Sequence, residues 1–176
     1  MMRQIYYWLP PALRFAIRYI WYLPADFFFP NKNIPPRRLI YTGRGDFAKQ
    51  GNQWLDFFKS HAALLPEHRV LDIGSGIGRI AMPLSRYLTQ SYDGFDAVRT
   101  GVNWCTKNIS NRFPHFRFLY IDIHNDLYKS KGARADKFIF PYHPSSFDFI
   151  CAISVFTHMI PSELENYIKE SAHVAS

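Results

Sequence analysis

Short apolar runs recur through the second half of the chain, each the length of a buried strand. Four such runs predict β-strands, at residues 68–73, 91–95, 116–121 and 147–153. The fourth is almost entirely apolar, as expected of a parallel strand that is covered on both faces. Residues 98–111, between the second and third runs, predict a helix.

A glycine turn joins the first predicted strand to a helix. Gly74, Gly76 and Gly78 follow the strand at once, and residues 79–88 show helical spacing, with an apolar face of Ile80, Leu84, Tyr87 and Leu88. Glycines let the chain turn sharply and bring backbone N–H groups close to a ligand at a positive helix N-terminus. A dinucleotide fingerprint needs G-x-G-x-x-G, whereas this turn is G-x-G-x-G. The spacing therefore disfavours NAD.

Asp96 ends the second predicted strand, eighteen residues past Gly78. An acidic side chain at this position can accept hydrogen bonds from both hydroxyls of a ribose. The alternative is a helix N-cap for residues 98–111. Because the glycine turn precedes it in register, the sequence favours the ribose site. The third predicted strand likewise ends in an acid, Asp122.

The last predicted helix follows Pro161. Ser162 and Glu165 fit an S-x-x-E capping box, and the apolar face is formed by Leu164, Tyr167 and Ile168. Upstream, the Pro- and Gly-rich residues 35–51 predict a connector that leads into a helix from about Asp46 or Phe47.

The first 44 residues are basic and aromatic. They hold seven Lys and Arg residues against a single acid, Asp26, whereas the other 132 residues carry 14 basic and 13 acidic side chains. The bulk of the protein is therefore nearly neutral and unlike a nucleic-acid-binding body. Residues 11–23 predict a helix with Arg14 and Arg18 on one face. These arginines and the prolines leave too few apolar residues to span a bilayer, and no signal peptide is evident.

Two interpretations of this segment stay open. A helix within residues 5–30 could lie peripherally on a membrane surface, with aromatics at the headgroup level and arginines near anionic lipid. More often such a helix packs on its own domain, which is the favoured interpretation.

Length and composition indicate one folded domain. The chain has 176 residues, of which 48% are hydrophobic and 20% charged, which excludes a disordered or collagen-like protein. Cys105 and Cys151 stand far apart, so neither a zinc ribbon nor a secreted cystine framework is predicted, and a reducing cytoplasm fits best. The histidines show no ligand spacing, and we expect no metal site.

Four motifs in order resemble the class I S-adenosylmethionine-dependent methyltransferases. They are VLDIGSGIGR at 70–79, YDGFD at 92–96, FLYID at 118–122 and FDFICAISVFTH at 147–158. The resemblance implies an α/β, Rossmann-like, doubly wound parallel sheet over residues 45–176, preceded by a helical segment and connector at 1–44. The family's sheet has seven strands in the order 3-2-1-4-5-7-6. This sequence reaches only the fourth strand and the next helix, so we expect a fragment with an open, apolar edge.

The resemblance also implies a site. Asp72 and the turn residues Gly74, Ser75, Gly76 and Gly78 would surround the methionine part of S-adenosylmethionine. Asp96 would hold the ribose, and Asp122 with Ile123 would flank the adenine. Beyond the fourth strand, Ser154 would line the cofactor pocket, and Val155 and His158 would face the methyl acceptor. His158 is also the candidate base, although a capping or packing role is the commoner one for such a histidine.

Gly45, Phe47 and Gly51 could form a lid over the cofactor, or a plain turn into a helix. The leading function is methyl transfer to a small-molecule acceptor. The first alternative is a catalytically incompetent scaffold or membrane- or partner-binding module that retains the fold. The second is a nucleic-acid methyltransferase. It is disfavoured because the Asn/Asp-Pro-Pro-Tyr type motif of the amino-methylating families is absent after the fourth strand, where Ile153 to Phe156 stand instead.

Overall fold

The computed structural model describes residues 11–28, 31, 34–43, 45–123 and 132–176. The chain divides into two compact units, residues 1–45 and 46–176. The boundary predicted from composition lies one position earlier, between residues 44 and 45.

The first unit is built on helix α1, Pro11–Phe28. It extends past the predicted end at residue 23 and contains Pro24 within the helix. A single 3-10 turn, Arg37–Leu39, follows the proline pair. Asp26 near the end of α1 joins the two, since its carboxylate accepts from the backbone N–H groups of Arg37 and Arg38 at 2.8 and 3.0 Å. No helix in the described part of the chain is long and apolar enough to cross a membrane.

The second unit contains a parallel sheet, and the predicted α/β fold is confirmed. Its described strands are β1 (Val70–Ile73), β2 (Tyr92–Asp96), β3 (Phe116–Tyr120) and β4 (Phe149–Ala152). They lie in the order β3-β2-β1-β4. The first three strands thus extend to one side of β1, and β4 is added on its other side. In this register Asp72 of β1 lies between Gly94 of β2 and Cys151 of β4.

Helices cover the sheet on both faces. They are α2 (Phe47–His61), α3 (Ala81–Leu84), α4 (Arg99–Cys105) and α5 (Pro161–Val174). Side chains of α2, α3 and α4 form one core layer with Val70 and Tyr92. Tyr167 and Val174 of α5 form the other with Leu71, Ile73 and Phe95. Alternate residues of each strand thus supply the two layers.

Two predicted helices differ in detail from the structure. The helix after the glycine turn is regular only over α3, and it begins later than predicted because Pro83 has no N–H to donate to residue 79. Its predicted apolar face is nevertheless buried at Ile80, Leu84 and Leu88. The helix predicted over 98–111 is α4 continued by a π-helical turn, Thr106–Ser110.

The capping box predicted for Ser162 and Glu165 is wrong. The N-cap of α5 is Ile160, two residues before Ser162; Pro161 stands at the first helical position, and the Glu163 side chain accepts from the backbone N–H of Ile160 at 3.2 Å. Of the predicted apolar face, Tyr167 is buried as predicted, but Ile168 is exposed. Pro161 determines where the helix begins, since the fixed φ of proline suits the first helical position.

Strand β4 lies at the edge of the described sheet, and it is not buried on both faces as predicted. Cys151 is buried while Phe149, Ile150 and Ala152 are only half-buried. The last residues of the chain return beside the segment that leads into β4. Ala175 forms a parallel bridge with Phe147, and Ser176 donates to the Phe147 carbonyl at 2.8 Å.

Candidate functional site

The glycine turn lies at the carboxyl end of β1, where parallel α/β sheets bind ligands. Gly74, Gly76 and Gly78 all have positive φ, at 73°, 59° and 79°, a conformation that other residues adopt only with strain. The turn is fastened to β2, because the N–H groups of Gly74 and Ser75 both donate to the Phe95 carbonyl. The sequence therefore needs glycine here for backbone shape.

Asp96 at the end of β2 faces this turn. One carboxylate oxygen accepts from the Gly76 N–H at 2.8 Å and the other from the Val98 N–H at 2.7 Å. The contact with Val98 is a local turn, and the residue at the N-cap of α4 is Val98 itself. A carboxylate can accept about four hydrogen bonds, and the two N–H contacts fix the orientation of this one beside the turn.

The segment after β4 meets the same turn. Val155 packs so closely on Gly74 that a Cβ added to the glycine would lie 2.5 Å from Val155 Cγ2. Ser154 is exposed and has a φ of 59°, rare for serine. His158 ends the short 3-10 helix Phe156–His158 that follows. The structure thus brings two predicted site residues, Ser154 and Val155, to the edge that holds the turn, and the roles given to them stay predictions.

Asp122 and Ile123 leave β3 at the same edge. The Ile121 N–H donates to the Asp96 carbonyl at 3.1 Å, which sets this segment beside the end of β2. Asp122 is exposed, and Ile123 is buried and bridges to Ala133. Their predicted place beside an adenine is compatible with this position and stays a prediction.

Asp72, in contrast, lies below the turn in the core. Its side chain is 1% exposed. The Tyr92 hydroxyl donates to Oδ2 at 2.6 Å, and the Cys151 thiol lies 3.7 Å from Oδ1. Burial raises the pKa of Asp72 to about 7, against the opposing effect of these two hydrogen bonds. Asp72 therefore supports the turn from beneath in this structure, and direct contact with a cofactor stays a prediction.

Ser75 is also turned inward. Its side chain is buried, and Gly94 of β2 is so close that an added Cβ would lie 2.8 Å from Ser75 Cβ. Among the described residues its hydroxyl has no hydrogen-bond partner. This contact explains the glycine in YDGFD, since a side chain there would push the turn away from β2.

Of the predicted lid residues, Phe47 and Gly51 lie in the first turns of α2, and Gly45 precedes the helix. Asp46 caps the helix by accepting from the Lys49 N–H at 2.7 Å, which confirms the predicted start. Phe47 is buried beneath the Arg79 guanidinium, 4.7 Å from the ring centre. A Cβ added to Gly51 would lie 2.4 Å from the Arg79 carbonyl. Phe47 and Gly51 thus hold α2 against the end of the glycine turn, as packing residues.

Sequence reasoning missed Tyr92 and Cys151 as partners of Asp72. In the sequence, Tyr92 is the first residue of the YDGFD motif and Cys151 is one residue of an apolar strand, and neither position indicates a contact with Asp72. Their contact depends on the pairing register of three strands, which no local pattern specifies. A tyrosine and an aspartate inside apolar strands were the available signal, since buried polar groups need partners.

A family model described as a methyltransferase domain matches residues 70–176 of the chain. This range spans the four described strands and the glycine turn, and it is more than half of the sequence. The chain belongs to this methyltransferase family. The S-adenosylmethionine-dependent class I fold expected from the motifs is thereby confirmed.

Solved structures with this fold include proteins of different kinds. YcgJ from Bacillus subtilis is 25% identical, with a TM-score of 0.54 over 71% of this chain and 47% of its own. The [4+2]-cyclase SpnF is 20% identical, with a TM-score of 0.57 over 77% of this chain and 44% of its own. Phosphoethanolamine N-methyltransferase 1 from Haemonchus contortus, solved with phosphoethanolamine and S-adenosylhomocysteine, is 12% identical, with a TM-score of 0.52 over 95% of this chain and 31% of its own.

This methyltransferase chain spans about half the length or less of those three proteins. The cyclase among them illustrates that one fold supports several reactions. The fold alone therefore does not define what this chain binds or which reaction it serves.

Proposed function

We propose that this chain binds S-adenosylmethionine at the carboxyl end of β1 and β2 and serves methyl transfer to a small-molecule acceptor. The observation that carries the proposal is the contact between Asp96 and Gly76, at 2.8 Å. It sets an acidic group and a turn of three positive-φ glycines side by side at the edge of the sheet where ligands bind.

The residues present fit such a cofactor. Glycines at 74, 76 and 78 hold the positive φ values that form a tight turn at the carboxyl end of β1, and such a turn lets a ligand approach the backbone closely. A carboxylate at the tip of β2 suits the two ribose hydroxyls, because charged acceptors make the stronger hydrogen bonds. Asp122 and Ile123 lie next along the same edge and suit the adenine.

When bound, the sulfonium of S-adenosylmethionine supplies an activated methyl group, and the protein's task is alignment of donor and acceptor. Val155 and Ser154 follow β4 next to Gly74, so they would border the acceptor. We include His158 as the proposed base for an acceptor that must lose a proton. A small-molecule acceptor is supported by Ile153 to Phe156 standing where amino-methylating nucleic-acid enzymes carry Asn/Asp-Pro-Pro-Tyr.

The test is isothermal titration of the 176-residue chain with S-adenosylmethionine, S-adenosylhomocysteine and NAD, comparing wild type with Asp96→Asn. The amide keeps the size of the side chain but loses the charge. We expect binding of both sulfur compounds, no binding of NAD, and an affinity loss of ~1–3 kcal/mol in the variant. Asp148→Asn is the matched control, because that carboxylate pairs with Arg69 just before β1 begins, at the opposite edge of the sheet.

Circular dichroism and thermal melting of each variant show whether it is folded. A folded wild-type chain that gives no heat with S-adenosylmethionine or S-adenosylhomocysteine would overturn the proposal. Equal affinities in wild type and Asp96→Asn would remove Asp96 from the ribose role. An assay of methyl transfer to metabolite mixtures, using cofactor labelled in the methyl group, would then address the acceptor.

A further inference from the structure

Helix α1 presents a continuous apolar surface that the described residues of its own unit leave uncovered. Residues three and four apart along the helix share this side, which we call the aromatic face: Leu13, Ile17, Ile20, Trp21, Phe27 and Phe28. Ile20, Trp21, Phe27 and Phe28 are 71–77% exposed. Single exposed apolar side chains are ordinary, but a run of this size along one helix side marks an interaction surface.

The opposite side of α1 is held by polar contacts within the unit. The Arg18 side chain donates to the Arg37 carbonyl at 3.3 Å and lies 5.5 Å from the Tyr22 ring centre. The Arg38 guanidinium stacks on Tyr19 at 5.3 Å. These contacts turn the aromatic face outward and place arginines along its flank.

Charge on this unit has one sign. Its lone acid, Asp26, is 7% exposed in its side chain and is neutralised by Arg38 at 3.2 Å and by two backbone N–H groups. The remaining charges in residues 1–44 are all basic. A second copy of this chain would bring the same positive charge against itself, which disfavours self-association through this face.

We propose that the aromatic face of α1 lies on an anionic lipid surface. Trp and Phe side chains suit the boundary between headgroups and acyl chains, where a helix in the plane buries its apolar side. Basic residues on its flank meet acidic headgroups, each adding to the attraction within a Debye length. This inference concerns the first unit and does not depend on the proposed methyl transfer.

The experiment is co-sedimentation of the full chain with vesicles of phosphatidylcholine alone and of phosphatidylcholine with phosphatidylglycerol. We expect binding to the anionic vesicles, weakened several-fold as salt rises from low to about 0.5 M. Ile20→Glu should lower the partition coefficient at least about tenfold, since it removes an inserted aliphatic group and adds a repelled charge. Arg37→Gln should lower it about fivefold.

The matched control is Ile139→Glu, which places the same charge at a side chain of similar exposure, 75% against 72% for Ile20, in the second unit. It should bind vesicles like wild type. Equal losses in Ile20→Glu and Ile139→Glu would overturn the proposal, as would a folded wild-type chain that stays in the supernatant with both vesicles. Concentration-dependent dimerisation that Ile20→Glu abolishes, without vesicle binding, would assign the face to a second copy instead. Binding to both vesicles without salt dependence would overturn the role of charge.

Discussion

The Tyr92 hydroxyl donates to Oδ2 of Asp72 at 2.6 Å, within the core layer directly below the glycine turn. Both residues are buried, and they belong to neighbouring strands. Burial raises the pKa of Asp72 to about 7, and the hydrogen bond from Tyr92 opposes that rise. Asp72 stands two residues before Gly74. Its protonation state and its hydrogen bond with Tyr92 therefore affect the stability of β1, the strand that leads into the turn.

Tyr92→Phe tests this hydrogen bond. The variant leaves a carboxylate without its main donor, so we expect a loss of ~1–3 kcal/mol in the free energy of unfolding at pH 8, where Asp72 is ionised. At pH 5, where Asp72 is protonated, the loss should be smaller. Urea denaturation at both pH values measures it.

Tyr87→Phe is the control for that variant, because its hydroxyl donates to a neutral acceptor, the Leu64 carbonyl, at 2.9 Å. Its loss of stability should be the same at pH 5 and pH 8. A pH-independent loss in Tyr92→Phe as well would contradict the assignment of Asp72 as the titrating partner.

Asp72 should also give the protein a stability that falls as pH rises. Its folded pKa of about 7 lies above its ordinary value of 3.8, so between these values the native state binds more protons than the unfolded chain. Stability is then full below about pH 4 and is lost through pH 7, by on the order of 4 kcal/mol in total. Asp72→Asn should abolish this slope in denaturation curves taken from pH 4.5 to 8.

The pKa of Asp148 is shifted in the opposite direction from that of Asp72, so its effect on stability has the opposite pH dependence. Hydrogen bonds from Arg69 hold the pKa of Asp148 well below its usual range. Its contribution is present above the ordinary pKa and is lost as pH falls below it. Asp148→Asn should therefore leave the slope between pH 4.5 and 8 unchanged. A wild-type slope that survives in Asp72→Asn would show that another group titrates.

Local pattern was enough to predict the sheet and its edge. Four apolar runs, one glycine turn and two acids at strand ends are features of short segments, and the structure confirms the strands within one to two residues. Asp96 and Gly76 meet because the carboxyl ends of parallel strands share one edge, which follows from topology alone.

Contacts between distant segments could not be predicted. The partners of Asp72 depend on strand register, and the inward turn of Ser75 depends on the space left at Gly94. The frame of α5 was missed because two overlapping capping patterns compete there, and Pro161 decides between them. For Asp72 and Ser75 the deciding physics is packing that lies outside the local window, whereas the start of α5 is set locally, by the proline next to Ser162.

Gly51→Ala should destabilise the protein although it replaces glycine inside a helix. At an exposed helix site alanine would add up to about 1 kcal/mol. Here the new Cβ would lie 2.4 Å from the Arg79 carbonyl, a backbone atom that cannot rotate away. We expect a net loss of ~1–3 kcal/mol in urea denaturation. Asn52→Ala, on the exposed side of α2, should be neutral or slightly stabilising, and a stabilised Gly51→Ala would disprove the close contact.

Gly78→Ala should be more costly, for two separable reasons. A φ of 79° strains any L side chain by ~1–2 kcal/mol, and the added Cβ would lie 2.8 Å from Ile109 Cδ1 and 2.9 Å from Cys105 Sγ. Ile109→Val removes Cδ1 at a cost of its own of ~0.5–1.5 kcal/mol. If the contact with Ile109 contributes, the double variant should lose ~1 kcal/mol less than the sum of the single ones. Strict additivity across this cycle would exclude the contact with Ile109 and leave the backbone strain and the contact with Cys105 as the reasons that glycine is required at the end of the turn.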